Sequence, residues 1–155
     1  MTSLENLITI GKVFISQGRT ISEGDFTLLT NLTWTTDRIH SDREYMKQTP
    51  FGERILAGAC VLACAIGLAN RSGIAEVIDN DKVRRIAALG LEEVRFTAPV
   101  KSGDTITVHS EILDVRPTGK DPKRAVIRIK ETTFNQTGQE VMTYIRSILL
   151  EIIPA

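Results

Sequence analysis

The stretch Arg54-Ile55-Leu56-Ala57-Gly58-Ala59-Cys60-Val61-Leu62-Ala63-Cys64-Ala65-Ile66-Gly67-Leu68-Ala69-Asn70 decides how the rest of the chain must fold. From Ile55 to Ala69 the only side chains that are not hydrocarbon are two thiols, and small residues dominate. That composition favours a helix, with Gly67 its one interruption near the end. A helix apolar on every side belongs in a core or in a membrane. The run is shorter than the ~20 apolar residues that span a bilayer, and its internal position excludes a secretory signal. It is expected to form a helix enclosed by its own fold and wrapped by a sheet.

Upstream, Thr49-Pro50-Phe51-Gly52 breaks the chain before this helix. Ahead of the break, Ser41 with Glu44 matches a capping box, which predicts a short helix running to about Lys47. His40 is then expected just before that helix. A helix N-terminus disfavours a proton on a nearby imidazole, so His40 is a candidate proton acceptor. The stretch from Thr33 to His40 lacks a sustained period and reads as a loop. Further back, Ser22 reads as an N-cap with Glu23 and Asp25 in the first turn. Phe26, Leu28, Leu29 and Leu32 form the expected apolar stripe of that helix, which ends near Trp34. Val13 to Ile21 is strand-like, with a bulge or bend at Gly18.

Downstream the pattern changes. Val83 to Phe96 is long and apolar-rich around Gly90, and Ala98 to Asp104 reads as a turn with Gly103 at positive φ. Thr105 to His109 alternates, so Ile106 and Val108 are expected to face inward and His109 outward. Pro117 to Pro122 reads as a polar loop and Ala125 to Phe134 as a strand. Asn135-Gln136-Thr137-Gly138-Gln139 is a hairpin turn, and Glu140 to Ile153 a closing strand ended by Pro154. Helices followed by a run of antiparallel strands indicate an α+β fold, one long helix covered by one curved sheet.

The 155 residues suit a single domain spanning 1–155. Nineteen basic and nineteen acidic residues cancel, which removes the electrostatic case for nucleic acid or an anionic membrane as main partner. With 42% hydrophobic residues, zero net charge also fits burial of surface in an oligomer. No targeting segment or low-complexity tract is visible, so the cytoplasm is the expected compartment. Cys60 and Cys64 lie one helical turn apart, a poor geometry for a disulfide. With no His or second pair beside them they read as reduced core thiols, not a zinc site.

Several separated motifs then resemble one family, in consistent order from about Ile10 to the C-terminus. They are Ile39-His40-Ser41-Asp42 with Tyr45, Thr49-Pro50-Phe51-Gly52, and Arg54-Ile55 with Gly58. Val94-Arg95-Phe96-Thr97-Ala98-Pro99-Val100 with Gly103-Asp104 and the hairpin Asn135-Gln136-Thr137-Gly138 follow. Together they resemble the MaoC-like dehydratases, or R-specific enoyl-CoA hydratases. The resemblance implies the hot dog fold and a homodimer or an assembly of dimers. It implies an acyl-CoA thioester substrate, addition of water across a 2-enoyl thioester or the reverse, and neither metal nor redox cofactor.

In that family an Asp and a His handle the protons, in a pattern D-x-N-P-x-H. The His falls on His40. The Asp falls on Thr35, the Asn on Asp37 and the Pro on Arg38, so the dyad is altered. Thr35 can hold a water but not replace a carboxyl; Asp37 is the substitute candidate. Where the family commonly has a His before the helix glycine, this chain has Ala57. The amides of Ala57 and Gly58 remain available to polarise the thioester carbonyl. Each residue has a plainer reading. His40 packs or caps, Asp37 is solvated or pairs with Arg38, Thr35 bonds its own loop, Gly58 permits close packing, and Trp34 packs instead of walling the acyl pocket. Two rival functions stand beside hydration: a hot-dog acyl-CoA thioesterase, and a non-catalytic acyl-thioester-binding or partner subunit.

Overall fold

The computed structural model describes residues 8–119, 121 and 123–153. The elements in order are β1 (Val13–Ile15), β2 (Arg19–Thr20), α1 (Glu23–Leu32), α2 (Arg38–Ser41), α3 (Arg43–Met46), α4 (Gly58–Ala69) and α5 (Ile74–Ile78). Four long strands follow: β3 (Val83–Phe96), β4 (Thr105–Pro117), β5 (Arg124–Phe134) and β6 (Glu140–Ile152). All pairings are antiparallel, in the order β1-β4-β5-β6-β3, with β2 also on β4. This is the α+β arrangement expected. Residue 122 and the Pro154 stop lie outside the described residues.

The alternation of β4 works as read: Ile106 and Val108 are fully buried, and His109 turns away to stack on Phe134 at 4.7 Å. The inner face of the sheet carries two apolar clusters. One gathers Phe26, Cys60, Val61, Ala65, Ile106, Val108 and Tyr144 around α4. The other gathers Ile74, Ile78, Ile112, Ile127, Ile129 and Ile148 near α5. Ser110, Glu131 and Tyr144, opposite one another in register, add a row of buried polar side chains to the same face.

The structure revises the helix readings. α4 begins at Gly58, because Ile55 and Leu56 are drawn into extended backbone. Nor is it enclosed on every side: Ala59, Ala63 and Gly67 share an exposed stripe, since the sheet covers one side only. Ser22 does cap α1, its hydroxyl accepting from Asp25 N at 3.1 Å while Asp25 accepts from Ser22 N at 3.0 Å. The buried stripe of α1 is narrower than predicted. Phe26 and Thr30 are buried and Leu29 partly so, but Leu28 and Leu32 are exposed, because they lie on the opposite side of the 3.6-residue turn. The Thr33–His40 stretch is not all loop; α2 takes up its last residues. Finally, Ser41 does not cap the next helix. Its hydroxyl turns back to the Thr36 and Asp37 carbonyls at 2.8 and 3.0 Å, and Asp42 caps α3 by accepting from Tyr45 N at 2.8 Å.

Candidate active site

The site is built on the two extended residues before α4. Leu56 N donates to Val100 O at 2.7 Å on one side, and Ile55 N donates to Ile39 O at 3.3 Å on the other. The same Ile55 carbonyl lies 2.7 Å from His40 Nδ1. A carbonyl only accepts, so Nδ1 carries the proton and a neutral His40 leaves Nε2 as its acceptor. His40 thus sits half-buried in the last turn of α2, just ahead of α3, and bonds to the residue two before the Ala57 cap of α4.

Helix α4 starts with bare amides. Ala57 offers no side-chain cap, and the first N–H groups of any helix lack intrahelical partners. They point where the helix dipole favours developing negative charge. Gly58 is needed there for space. A Cβ at this position would lie 2.7 Å from Phe96 Cζ, so the Phe96 ring rests directly on the helix start. The close-packing reading of Gly58 therefore holds, and it is compatible with an exposed amide.

Asp37 is the N-cap of α2 and is exposed; its carbonyl accepts from His40 N at 2.8 Å. Asp37 and His40 are the cap and the third residue of the same short helix. Arg38 does not pair with Asp37; it takes Asp42 at 3.3 Å and lies over the Tyr45 ring at 4.1 Å.

Thr35 is half-buried in a small cluster. Thr33 Oγ1 donates to Leu29 O at 2.7 Å, so at 2.9 Å it can only accept the proton of Thr35 Oγ1. Cys60 Sγ closes the cluster, 3.3 Å from Thr33 Oγ1 and 4.0 Å from Thr35 Oγ1. Thr35 thus bonds its own loop and keeps lone pairs free. Trp34 stands at φ 59° and is 87% exposed, so it neither packs nor walls a pocket. Both thiols are free, and burial pushes the half-buried Cys64 thiol above its ordinary pKa, aided by Cys60. No cluster of three or more metal-ligating side chains occurs among the described residues.

The sequence model of the MaoC-like domain matches residues 5–135 of this chain. The chain belongs to the MaoC-like dehydratase family. Among its MaoC-like relatives, Protein MaoC of Klebsiella aerogenes is 33% identical over 98 residues, 63% of this chain. The chain spans only 27% of that protein's length. An (R)-specific enoyl-CoA hydratase of Rhodospirillum rubrum is 28% identical over 82% of this chain and 78% of its own. A solved structure described as a monoamine oxidase regulatory protein from Archaeoglobus is 32% identical, covers 97% of this chain and 95% of its own, and superposes with a TM-score of 0.82. The MaoC-like architecture is the hot dog fold. A Mycobacterium tuberculosis protein with a double hotdog fold superposes at 0.75 over 95% of this chain and 43% of its own, at 19% identity.

One part of the molecule escaped the sequence reading. Arg146, 4% exposed, donates from Nη2 to Glu131 Oε1 at 2.5 Å and from Nη1 to Asn70 Oδ1 at 2.9 Å. Burial pushes the Glu131 carboxyl above its ordinary range, and Arg146 pulls back only part of the way. The signal was present as charged residues at inward positions of otherwise apolar strands.

Proposed function

We propose that the chain adds water to the double bond of a 2-enoyl coenzyme A thioester, or removes it from the 3-hydroxyacyl thioester. The observation that carries this is the 2.7 Å bond from His40 Nδ1 to the Ile55 carbonyl, which holds Nε2 as a proton acceptor beside the uncapped start of α4. His40 takes a proton from water as its oxygen bonds to C3. The electron pair of the double bond moves onto the thioester, and the carbonyl oxygen gains charge against the Gly58 and Ala57 amides. C2 then receives a proton from the Asp37 carboxyl, which the His40 proton replenishes, so one water is added and nothing else changes. Thr35 holds the water through its free lone pairs. No metal or redox cofactor takes part, and the compartment is the cytoplasm, where both thiols stay reduced.

The working form is a homodimer or an assembly of dimers. β3 is 14 residues long, pairs only β6 among the described residues, and exposes Ile86, Leu89, Leu91 and Phe96. An antiparallel second copy of β3 places Arg84 and Arg85 opposite Glu92 and Glu93, a charge match that favours self-pairing.

Incubation with crotonyl-CoA tests the reaction. Loss of enoyl absorbance without free thiol is the expected result. Release of free thiol supports hydrolysis of the thioester instead. Binding with neither signal supports a non-catalytic subunit, the reading that Thr35 in place of the family Asp favours.

A further inference from the structure

Between the C-terminal half of α4 and strand β3 lies a cavity of about 490 Å³, within the usual range for a small-molecule pocket. Ile66, Ile86, Leu89 and Ile148 give it an apolar wall, and Asn70 and Arg146 give it a polar one. The sequence makes the space. The register of β3 against β6 shifts between Arg85 and Ala87 and again between Ala88 and Gly90, so the strand buckles. Small Ala87, Ala88 and Gly90 at these shifts leave the gap unfilled.

The polar wall has one kind of hydrogen-bonding capacity left. Arg146 Nη1 and Nη2 are engaged, but its Nε is buried without a partner. Asn70 uses its oxygen on Arg146, so its amide N–H groups are what remain. A wall of donors calls for an acceptor. A guanidinium has five N–H donors, and Glu131 and Asn70 each take up one on Arg146, so it can hold a further acceptor.

Resting on the hydratase reading, we propose that this cavity receives the acyl arm of the thioester. Arg146 and Asn70 then select acyl groups whose far end carries a hydrogen-bond acceptor, a carboxylate above all. α4 is the ruler: from Gly58 to Ile66 it rises about 12 Å, so the arm lies along the helix from carbonyl to guanidinium.

The test is calorimetric binding of two saturated coenzyme A thioesters of equal chain length, one plain and one ending in a carboxylate. Saturated thioesters need no turnover, so the result separates this inference from the proposed reaction. The wild-type chain is expected to prefer the carboxylate-ended thioester by at least about tenfold, the factor one bond to a charged donor carries. The double variant Arg146→Met with Glu131→Gln avoids an unpaired buried charge and should bring the preference within about twofold. Ile66→Trp fills the cavity without touching the pair and should weaken both thioesters at least about tenfold while binding of free coenzyme A is kept. Equal binding of the two thioesters by the wild-type chain overturns the inference and leaves the hydratase reading standing. So does an Ile66→Trp variant that changes self-association but not thioester binding, since the cavity is then a subunit contact. Failure to bind either thioester removes both readings.

Discussion

Because Nδ1 of His40 donates to Ile55 O, Nε2 is the nitrogen left for the proposed role as base, and the proposed partner carboxylate must come from elsewhere. Asp37 stands one helical turn away on α2. Asp37→Asn is expected to slow hydration at least about tenfold, toward the 10²–10⁴ range of positioned proton transfer, with stability unchanged because Asp37 makes no side-chain cap bond. A steady-state rate with crotonyl-CoA checks it; an unaltered rate removes Asp37 from the mechanism. Thr35→Asp, restoring the family carboxylate, should raise the rate. Thr35 and Asp37 were legible as the two contenders. That Asp37 caps the helix carrying His40 was not, because the turn depends on Ser41 reaching back to the Thr36 and Asp37 carbonyls, and Ser41 equally resembled a forward cap. Burial holds the Cys64 thiol protonated above its usual range, so thiol-specific reagents should leave it nearly untouched near neutral pH. Its labelling should accelerate as pH rises, and rapid labelling at neutral pH would contradict the burial account.

Helices α1, α3 and α4 start in different ways, and the differences matter. α1 and α3 are capped by carboxylate chemistry. The Ser22 hydroxyl first, then its amide, holds Asp25 below the ordinary carboxylate range, and the Tyr45 amide does the same for Asp42. A lowered folded-state pKa gives stability present above the unfolded value, near 3.8, and lost as pH falls through the folded one. Asp42→Asn should therefore flatten the acid limb of a melting-temperature profile; an unchanged acid limb would mean the cap bond is not formed. α4 has no such cap and meets Phe96 instead. Gly58→Ala should destabilise the fold unless the ring is also removed, so a double-mutant cycle with Phe96→Ala is expected to show coupling of about 0.5–3 kcal/mol. Additive effects would mean that the ring does not rest on the helix. The apolar run announced α4 in the sequence, but its first turn was misplaced by three residues because Ile55 and Leu56 are claimed by Ile39 and Val100.

At the scale of the whole molecule, one edge of the sheet is short and the other long. β1 has 3 residues, whereas β3 has 14 and exposes apolar side chains along both faces. A long apolar edge that no described strand covers is a template for another strand. If the proposed dimer forms through β3, Leu89→Lys should leave a monomer by sedimentation velocity, and a variant that is still dimeric would place the contact elsewhere. The fold was readable because alternation and turn residues act locally, as in β4 and the Asn135–Gln139 turn. The Glu131–Arg146 pair and the cavity beside it were not, because they depend on which strands become neighbours and where β3 slips register against β6.

The most direct measurement is the hydration rate of crotonyl-CoA by the wild-type chain and by His40→Gln, which keeps a donor for the Ile55 carbonyl but loses the base. The account predicts a fall of about 10²–10⁴ with the melting temperature nearly unchanged. A variant that hydrates as fast as the wild-type chain would contradict it.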